Sequence, residues 1–170
     1  MPEQSAGMPA SSIRRPPIRR VAFEALSLTE LHDLLALRSR VFVVEQSCPY
    51  PDIDGRDPGA LHLIAADGAG AIVGCARCLG PDREGPDSEG PDATVSFGRL
   101  AVDRSQRSTG LGRALVVESL AVLAERWPGR DVLIGAQLYL ERFYGSFGFV
   151  PVTEPYDDFG IPHIDMRLRR

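Results

Sequence analysis

Apolar residues recur near helical spacing at Leu31, Leu34, Leu35, Leu37, Val41 and Val44, which predicts a helix opening at Thr29 as N-cap and ending near Glu45. A short apolar run at Val21-Ala22-Phe23 precedes it and reads as a strand. Residues 47–58 are dense in Pro, Gly and Asp and read as a loop. Two apolar runs follow, Leu61–Ala66 and Ala71–Leu79, separated by Asp67-Gly68. That spacing predicts an antiparallel hairpin.

The second half alternates element types. Thr94–Val102 is a strand pattern, and residues from about Thr109 to Arg126 carry Leu111, Leu115, Val116, Leu120 and Leu123 on one helical face, stopped by Pro128-Gly129. Asp131–Ala136 reads as a strand, Tyr139–Ser146 as a short helix, and Phe149–Thr153 and Pro162–Leu168 as closing strands. Strand–helix–strand over Thr94–Ala136 predicts a parallel pair with a right-handed crossover. With the hairpins, this gives a mixed α/β (α+β) sheet.

Composition sharpens the picture little. The 170 residues are 44% hydrophobic and 25% charged, with net charge −4, ordinary for one globular domain and unlike a nucleic-acid binder. No apolar run reaches the length of a membrane span. All 19 basic residues are arginine. The three cysteines, Cys48, Cys75 and Cys78, have no framework spacing. Cys75-Ala76-Arg77-Cys78 sits in a strand pattern, where positions three apart point to opposite faces, so it is read as structural rather than metal-binding. Residues 1–20, rich in Pro, Ser and Arg and lacking an apolar segment of the secretory type, are expected to be a disordered tail ahead of a domain over 21–170. A cytoplasmic location is expected, and no metal or membrane partner. Gly-Pro-Asp recurs at a period of five over residues 80–92, and such a segment cannot bury a core.

The chemistry concentrates at Gln106-Arg107-Ser108-Thr109-Gly110-Leu111-Gly112-Arg113. A helix N-terminus presents backbone N–H groups without internal partners and a partial positive charge. Glycines at 110 and 112 let an anion approach the chain. The loop lacks the Lys of a Walker A sequence and the third glycine of a dinucleotide fingerprint. A phosphate site and a merely structural helix start both fit the turn taken alone.

Further segments accompany it in order: Val41-Phe42-Val43-Val44-Glu45-Gln46, Cys48-Pro49-Tyr50, Asp52-Ile53-Asp54-Gly55, Phe97-Gly98-Arg99-Leu100-Ala101-Val102, Gly135-Ala136-Gln137, Tyr144 through Phe149, and Gly160-Ile161-Pro162-His163. Over roughly Val21 to Leu168 this resembles the GNAT superfamily of acyl-CoA-dependent N-acetyltransferases, in its ElaA-type branch. The resemblance implies a mostly antiparallel central sheet with flanking helices and a splayed parallel strand pair that admits the pantetheine arm. It implies acetyl-CoA held by the edge Leu100, Ala101 and Val102 and by Arg107, Ser108, Thr109, Gly110, Leu111, Gly112 and Arg113, with Gln137 beside the second strand. Tyr144 is implied as the acid that protonates the leaving thiolate. Several members of the superfamily carry a carboxylate on the strand before the cofactor edge; Val95-Ser96-Phe97-Gly98 has none. Glu45 is therefore the candidate base, with Asp54 and His62 as substitutes or acceptor contacts and Arg99 beside them. The expected reaction is direct acetyl transfer to a primary amine, on a small molecule or peptide, with a second copy of the chain (a homodimer) as the one protein partner considered. The competing expectation is a non-catalytic acyl-CoA-binding or regulatory module.

Overall fold

The computed structural model describes residues 15–81 and 93–170. β1 (Ile18–Ala22), β2 (Leu61–Ala66), β3 (Ile72–Leu79) and β4 (Ser96–Val102) form one antiparallel four-stranded sheet in that order. β5 (Val132–Gln137), β6 (Val150–Pro151), β7 (Tyr156–Asp158) and β8 (Ile161–Leu168) form a second, in which β8 pairs with the other three. The two sheets meet at one parallel bridge, Val95 with Val132. There the Val95 N–H donates to the Asp131 carbonyl (2.9 Å) and the Leu133 N–H to the Val95 carbonyl (2.9 Å). Beyond that bridge β4 and β5 are not paired, so the expected parallel pair exists and is splayed.

Two helices clamp the first sheet. On one face α2 (Leu111–Arg126) buries Leu111, Leu115 and Leu123 with Leu63, Ala65 and Val73. On the other, α1 (Leu28–Arg38) and the π-helical turns that extend it over Ser39–Glu45 bury Leu34, Leu37 and Val41 against Ile64, Ile72 and Cys75. Cys75 and Cys78 thus lie in opposite layers, as alternation requires. Burial pushes their thiols up, to about 12 and about 11 respectively, which makes both inert.

Several boundaries differ from expectation. The N-cap of α1 is Ser27, not Thr29: Ser27 Oγ accepts from the Glu30 N–H and Glu30 Oε2 accepts from the Ser27 N–H, a capping box spelled S-x-x-E. The cap of α2 is Gly110. β1 begins at Ile18, inside the stretch read as tail, because the backbone pairs with β2 from Ile18 opposite Ala65; Arg20 also reaches Glu118 and Glu125 of α2 (2.6 and 2.5 Å) and Arg19 reaches Glu30. β7 went unread because it spans only three residues. Most of the period-five segment and the first 14 residues lie outside the described residues.

Candidate active site

The gap between β4 and β5 opens into a cleft of about 590 Å³. Its walls come from β4 (Phe97 to Leu100, and Val102), from β5 (Ile134 to Gln137), from the end of the α1 extension (Glu45, Gln46) and from the β7–β8 turn.

β4 is bulged where it lines the cleft. Cys75 pairs with Ala101 and Arg77 with Gly98, so Arg99 and Leu100 together oppose Ala76 alone. Arg99 has φ +50°. Bulges re-aim a strand edge and accumulate beside functional sites. The non-glycine residues with left-handed backbone among those described are Ser47, Arg99, Ser108 and Phe159. Arg99 and Phe159 line the cleft, Ser47 lies between the lining residues Gln46 and Cys48, and Ser108 is in the glycine turn. Backbone strain of this kind, about 1–3 kcal/mol per residue, persists only where the surroundings enforce it.

The glycine turn presents donors. The N–H groups of Ser108, Gly110, Leu111, Gly112 and Arg113 have no partner among the described residues, whereas the Ala114 N–H already donates to Gly110 (3.0 Å). Gly110 has φ +84°, and a Cβ added at Gly112 would meet nothing nearer than Val102 Cγ2 at 3.7 Å. Packing does not require a glycine at 112. Free amides at a helix start, in a loop with left-handed residues, fit a diphosphate. Arg113 stacks over Phe147 (4.5 Å) and donates to Ser146 (3.0 Å). Thr109 Oγ1 donates to the Gln106 carbonyl, which shapes the loop. The Arg107 side chain turns into the cleft wall, donating to Glu45 Oε2 (2.7 Å) and to the Val102 carbonyl (3.1 Å).

Tyr144, on α3 (Glu141–Gly145), lines the cleft. Its ring packs with Phe97, Phe143 and Phe149 (centroids 6.1, 5.1 and 6.1 Å), and its hydroxyl makes no hydrogen bond to the described residues. Burial, with a smaller push from Tyr139, raises the phenol to about 12.

The other expected polar residues divide. Glu45 lines the cleft, but Arg107 and Arg104 (3.4 Å) engage its carboxylate; the hydrogen bond from Arg107 outweighs desolvation and holds it below the ordinary glutamate range. Gln137 donates to Gln46 Oε1 (3.0 Å), tying β5 to the α1 extension. Arg99 lines the cleft. His62 does not reach it: the residue is 1% exposed, its Nε2 lies 3.1 Å from the Asp57 carbonyl, and burial depresses its pKa. Asp54 also lies outside the cleft lining. It belongs to a cluster of three arginines and three aspartates. Arg38 reaches Asp52 (2.9 Å) and Asp57 (2.7 Å), Arg77 reaches Asp54 (2.7 Å) and Asp57 (3.1 Å), and Arg99 reaches Asp52 (2.9 Å) and Asp54 (3.1 Å). Desolvation pushes Asp54 and Asp57 up, yet the hydrogen bonds and charges of these arginines prevail and hold both carboxyls well below their usual range.

Lining residues outside the expected site include Tyr50, Arg104, Asp158, Phe159 and His163. Asp158 and Phe159 sit in the unread β7–β8 hairpin, and Asp-Phe-Gly before Ile161 was its signal. His163 has Nδ1 2.8 Å from the Ile161 carbonyl, so Nδ1 donates there and Nε2 has no partner among the described residues. Among the described residues no group of three metal-ligating side chains occurs, and no helix is long and apolar enough to cross a membrane.

A splayed strand pair, a bulged edge and an amide-rich helix start are what an acyl-CoA transferase fold requires, and the chain belongs to the GNAT acetyltransferase family: residues 40–170 match the acetyltransferase (GNAT) domain. Within it the chain is similar to protein ElaA of Escherichia coli, with 44% identity over 142 residues that cover 83% of this chain and 88% of that protein. The crystal structure of Escherichia coli ElaA superposes with a TM-score of 0.80 at 38% identity, covering 89% of this chain and 98% of the other. An acyl-CoA N-acyltransferase from Pseudomonas aeruginosa superposes equally well, also at TM-score 0.80 and 38% identity, with the same coverage.

Proposed function

We propose that this protein is an N-acetyltransferase that moves an acetyl group from acetyl-CoA to a primary amine in a ternary complex. The observation that carries the reading is the unbonded hydroxyl of Tyr144 in a cleft between diverging strands, whose wall runs through Val102, Arg104 and Arg107 to the loop that bears the unpartnered amides of Ser108 and Gly110 to Arg113. Bound acetyl-CoA supplies an activated acyl thioester, so that a C–N bond forms as a C–S bond breaks. The amides of Ser108 and of Gly110 to Arg113 hold its diphosphate, and the free edge of β4 at Leu100, Ala101 and Val102 pairs with the pantetheine amides. The Leu100 N–H is the donor for the acyl oxygen, a contact typically worth about 10²–10³ in turnover.

Tyr144 gives its proton to the departing sulfur. A raised pKa keeps that proton in place at neutral pH, and the dry aromatic surround strengthens any contact it makes. The amine must lose a proton. Glu45 is a poor recipient while two arginines engage it; His163, with a free Nε2 in the same cleft, takes the role, directly or through water. Gln46 and Gln137 lie on the acceptor side and hold the two walls in register.

Thiol release from acetyl-CoA, followed across a panel of amines, tests this. Amine-dependent release with stoichiometric N-acetylated product supports it. Tight CoA binding with no turnover on any amine overturns it in favour of a binding module.

A further inference from the structure

The β7–β8 hairpin turns on two residues, because Asp158 and Ile161 are paired. Phe159 and Gly160 therefore form the loop, with φ +51° and +82°, the signature of a type I′ turn. Its first position normally takes Asn, Asp or Gly; a bulky side chain there is strained. Burial gives nothing back, since Phe159 is 60% exposed. An aromatic ring is being held out at the rim of the cleft at the expense of the fold.

The ring meets a fixed partner. Its centroid is 5.8 Å from that of Tyr50, tilted by 46°. The Tyr50 hydroxyl donates to Asp52 Oδ1 (2.9 Å), and Asp52 is anchored by buried Arg38. Arg99 sits over the Tyr50 ring at 5.5 Å. The cluster of arginines and aspartates thus immobilises one aromatic, and the strained turn presents the other. Cys48 Sγ donates to the Phe159 carbonyl (3.5 Å) and ties the two segments together.

Apart from Asp158, the charged side chains of the cleft wall are all engaged in ion pairs, with two arginines to one glutamate at the Glu45 end. Glu45 is engaged by Arg107 and Arg104, and Arg99 by Asp52 and Asp54. Asp158 also lines the cleft, and its carboxylate has no ion pair or hydrogen bond among the described residues. The rim therefore offers aromatic surface beside one unpaired carboxylate, at the end of the cleft away from Arg104 and Arg107.

We propose, resting on the acetyl-transfer reading, that Tyr50, Phe159 and Asp158 form the acceptor subsite and that the acceptor is an arylalkylamine. Its ring lies on the Phe159–Tyr50 surface, and its ammonium arrives beside Asp158 before deprotonation. A polyamine or aminoglycoside has no flat apolar face to bury there and needs more than one free carboxylate.

The test uses phenethylamine and spermidine with the wild-type chain and Phe159→Asn. Asparagine accepts left-handed backbone, so the variant keeps or raises the melting temperature. Loss of ring contact is expected to raise KM for phenethylamine about five- to tenfold while kcat stays within about twofold. Wild-type kcat/KM for phenethylamine is expected to exceed that for spermidine. If spermidine is used equally well, or if Phe159→Asn leaves KM unmoved, the subsite is wrong and the transfer reading stands. If no amine releases thiol, the transfer reading falls. Calorimetry of phenethylamine into the CoA-loaded protein then decides the subsite: Phe159-dependent binding sustains it, and no binding overturns it.

Discussion

The rings of Tyr144 and Phe97 lie 6.1 Å apart, joining α3 to β4 at the cleft. The tyrosine is thus held by its ring, while its hydroxyl is left free of the described residues. Tyr144→Phe should keep the packing and remove only the proton. Turnover should fall by about 10²–10⁴ while CoA affinity and melting temperature hold; steady-state kinetics with CoA calorimetry check it. An unchanged kcat removes Tyr144 from the chemistry.

The same burial sets a pH signature. With the phenol raised to about 12, Tyr144 stays protonated across the usual assay range and the acid is lost only as pH approaches that value. The kcat profile should therefore show no descending limb between about pH 7 and 10, because an unperturbed phenol near 10 would already be losing its proton there. A descending limb centred near pH 8–9 that vanishes in Tyr144→Phe contradicts this assignment.

Gly112 separates binding from folding. A Cβ there meets only Val102, at an ordinary 3.7 Å, and φ is not left-handed. Gly112→Ala should leave stability unchanged or slightly raised, since alanine favours helix by about 1 kcal/mol, yet weaken CoA about tenfold or more by crowding the amides. Thermal unfolding and calorimetry on the same sample read both quantities. Undiminished affinity would show that nothing approaches the chain at this point.

The ion cluster behind the site gives a stability prediction. Arg38 is 1% exposed and pairs with Asp52 and Asp57. Arg38→Met leaves two arginines, Arg77 and Arg99, to balance three aspartates, one buried negative charge in excess, and should cost about 3–5 kcal/mol, read by denaturant unfolding at pH 7. The sign of the pH dependence follows from the depressed Asp54 and Asp57. Their contribution is present above the unfolded carboxyl value near 4 and is lost as pH falls below it. The wild-type midpoint should drop steeply between about pH 4 and 2, and the drop should be shallower in Arg38→Met.

The readable parts of this chain are those governed by local pattern. The hairpin β2–β3, the inward face of α2 and the glycine turn follow from spacing and from the backbone freedom of Gly110. The ElaA-type segments then ordered the rest, and the splayed pair, the GNAT membership and the ElaA likeness all stand. What stayed hidden depends on distant partners. The arginines at 38, 77 and 99 find the aspartates at 52–57 only after folding, which is why Asp54 looked available. His62 looked accessible because alternation cannot reveal that β2 is covered on both faces. The bulge at Arg99 and Leu100 has no sequence mark, because the φ that makes it is enforced by neighbours. Ser27 was legible as a capping box, but Thr29 offered a competing cap.

The central claim is that the amides near Gly110 and the open edge of β4 receive CoA. Backbone amide NMR with CoA added to the labelled protein tests it directly. The account predicts saturable shifts at residues 108–113 and 97–102, with the largest at Gly110 to Gly112. Shifts confined to another surface, or none at millimolar CoA, would contradict it.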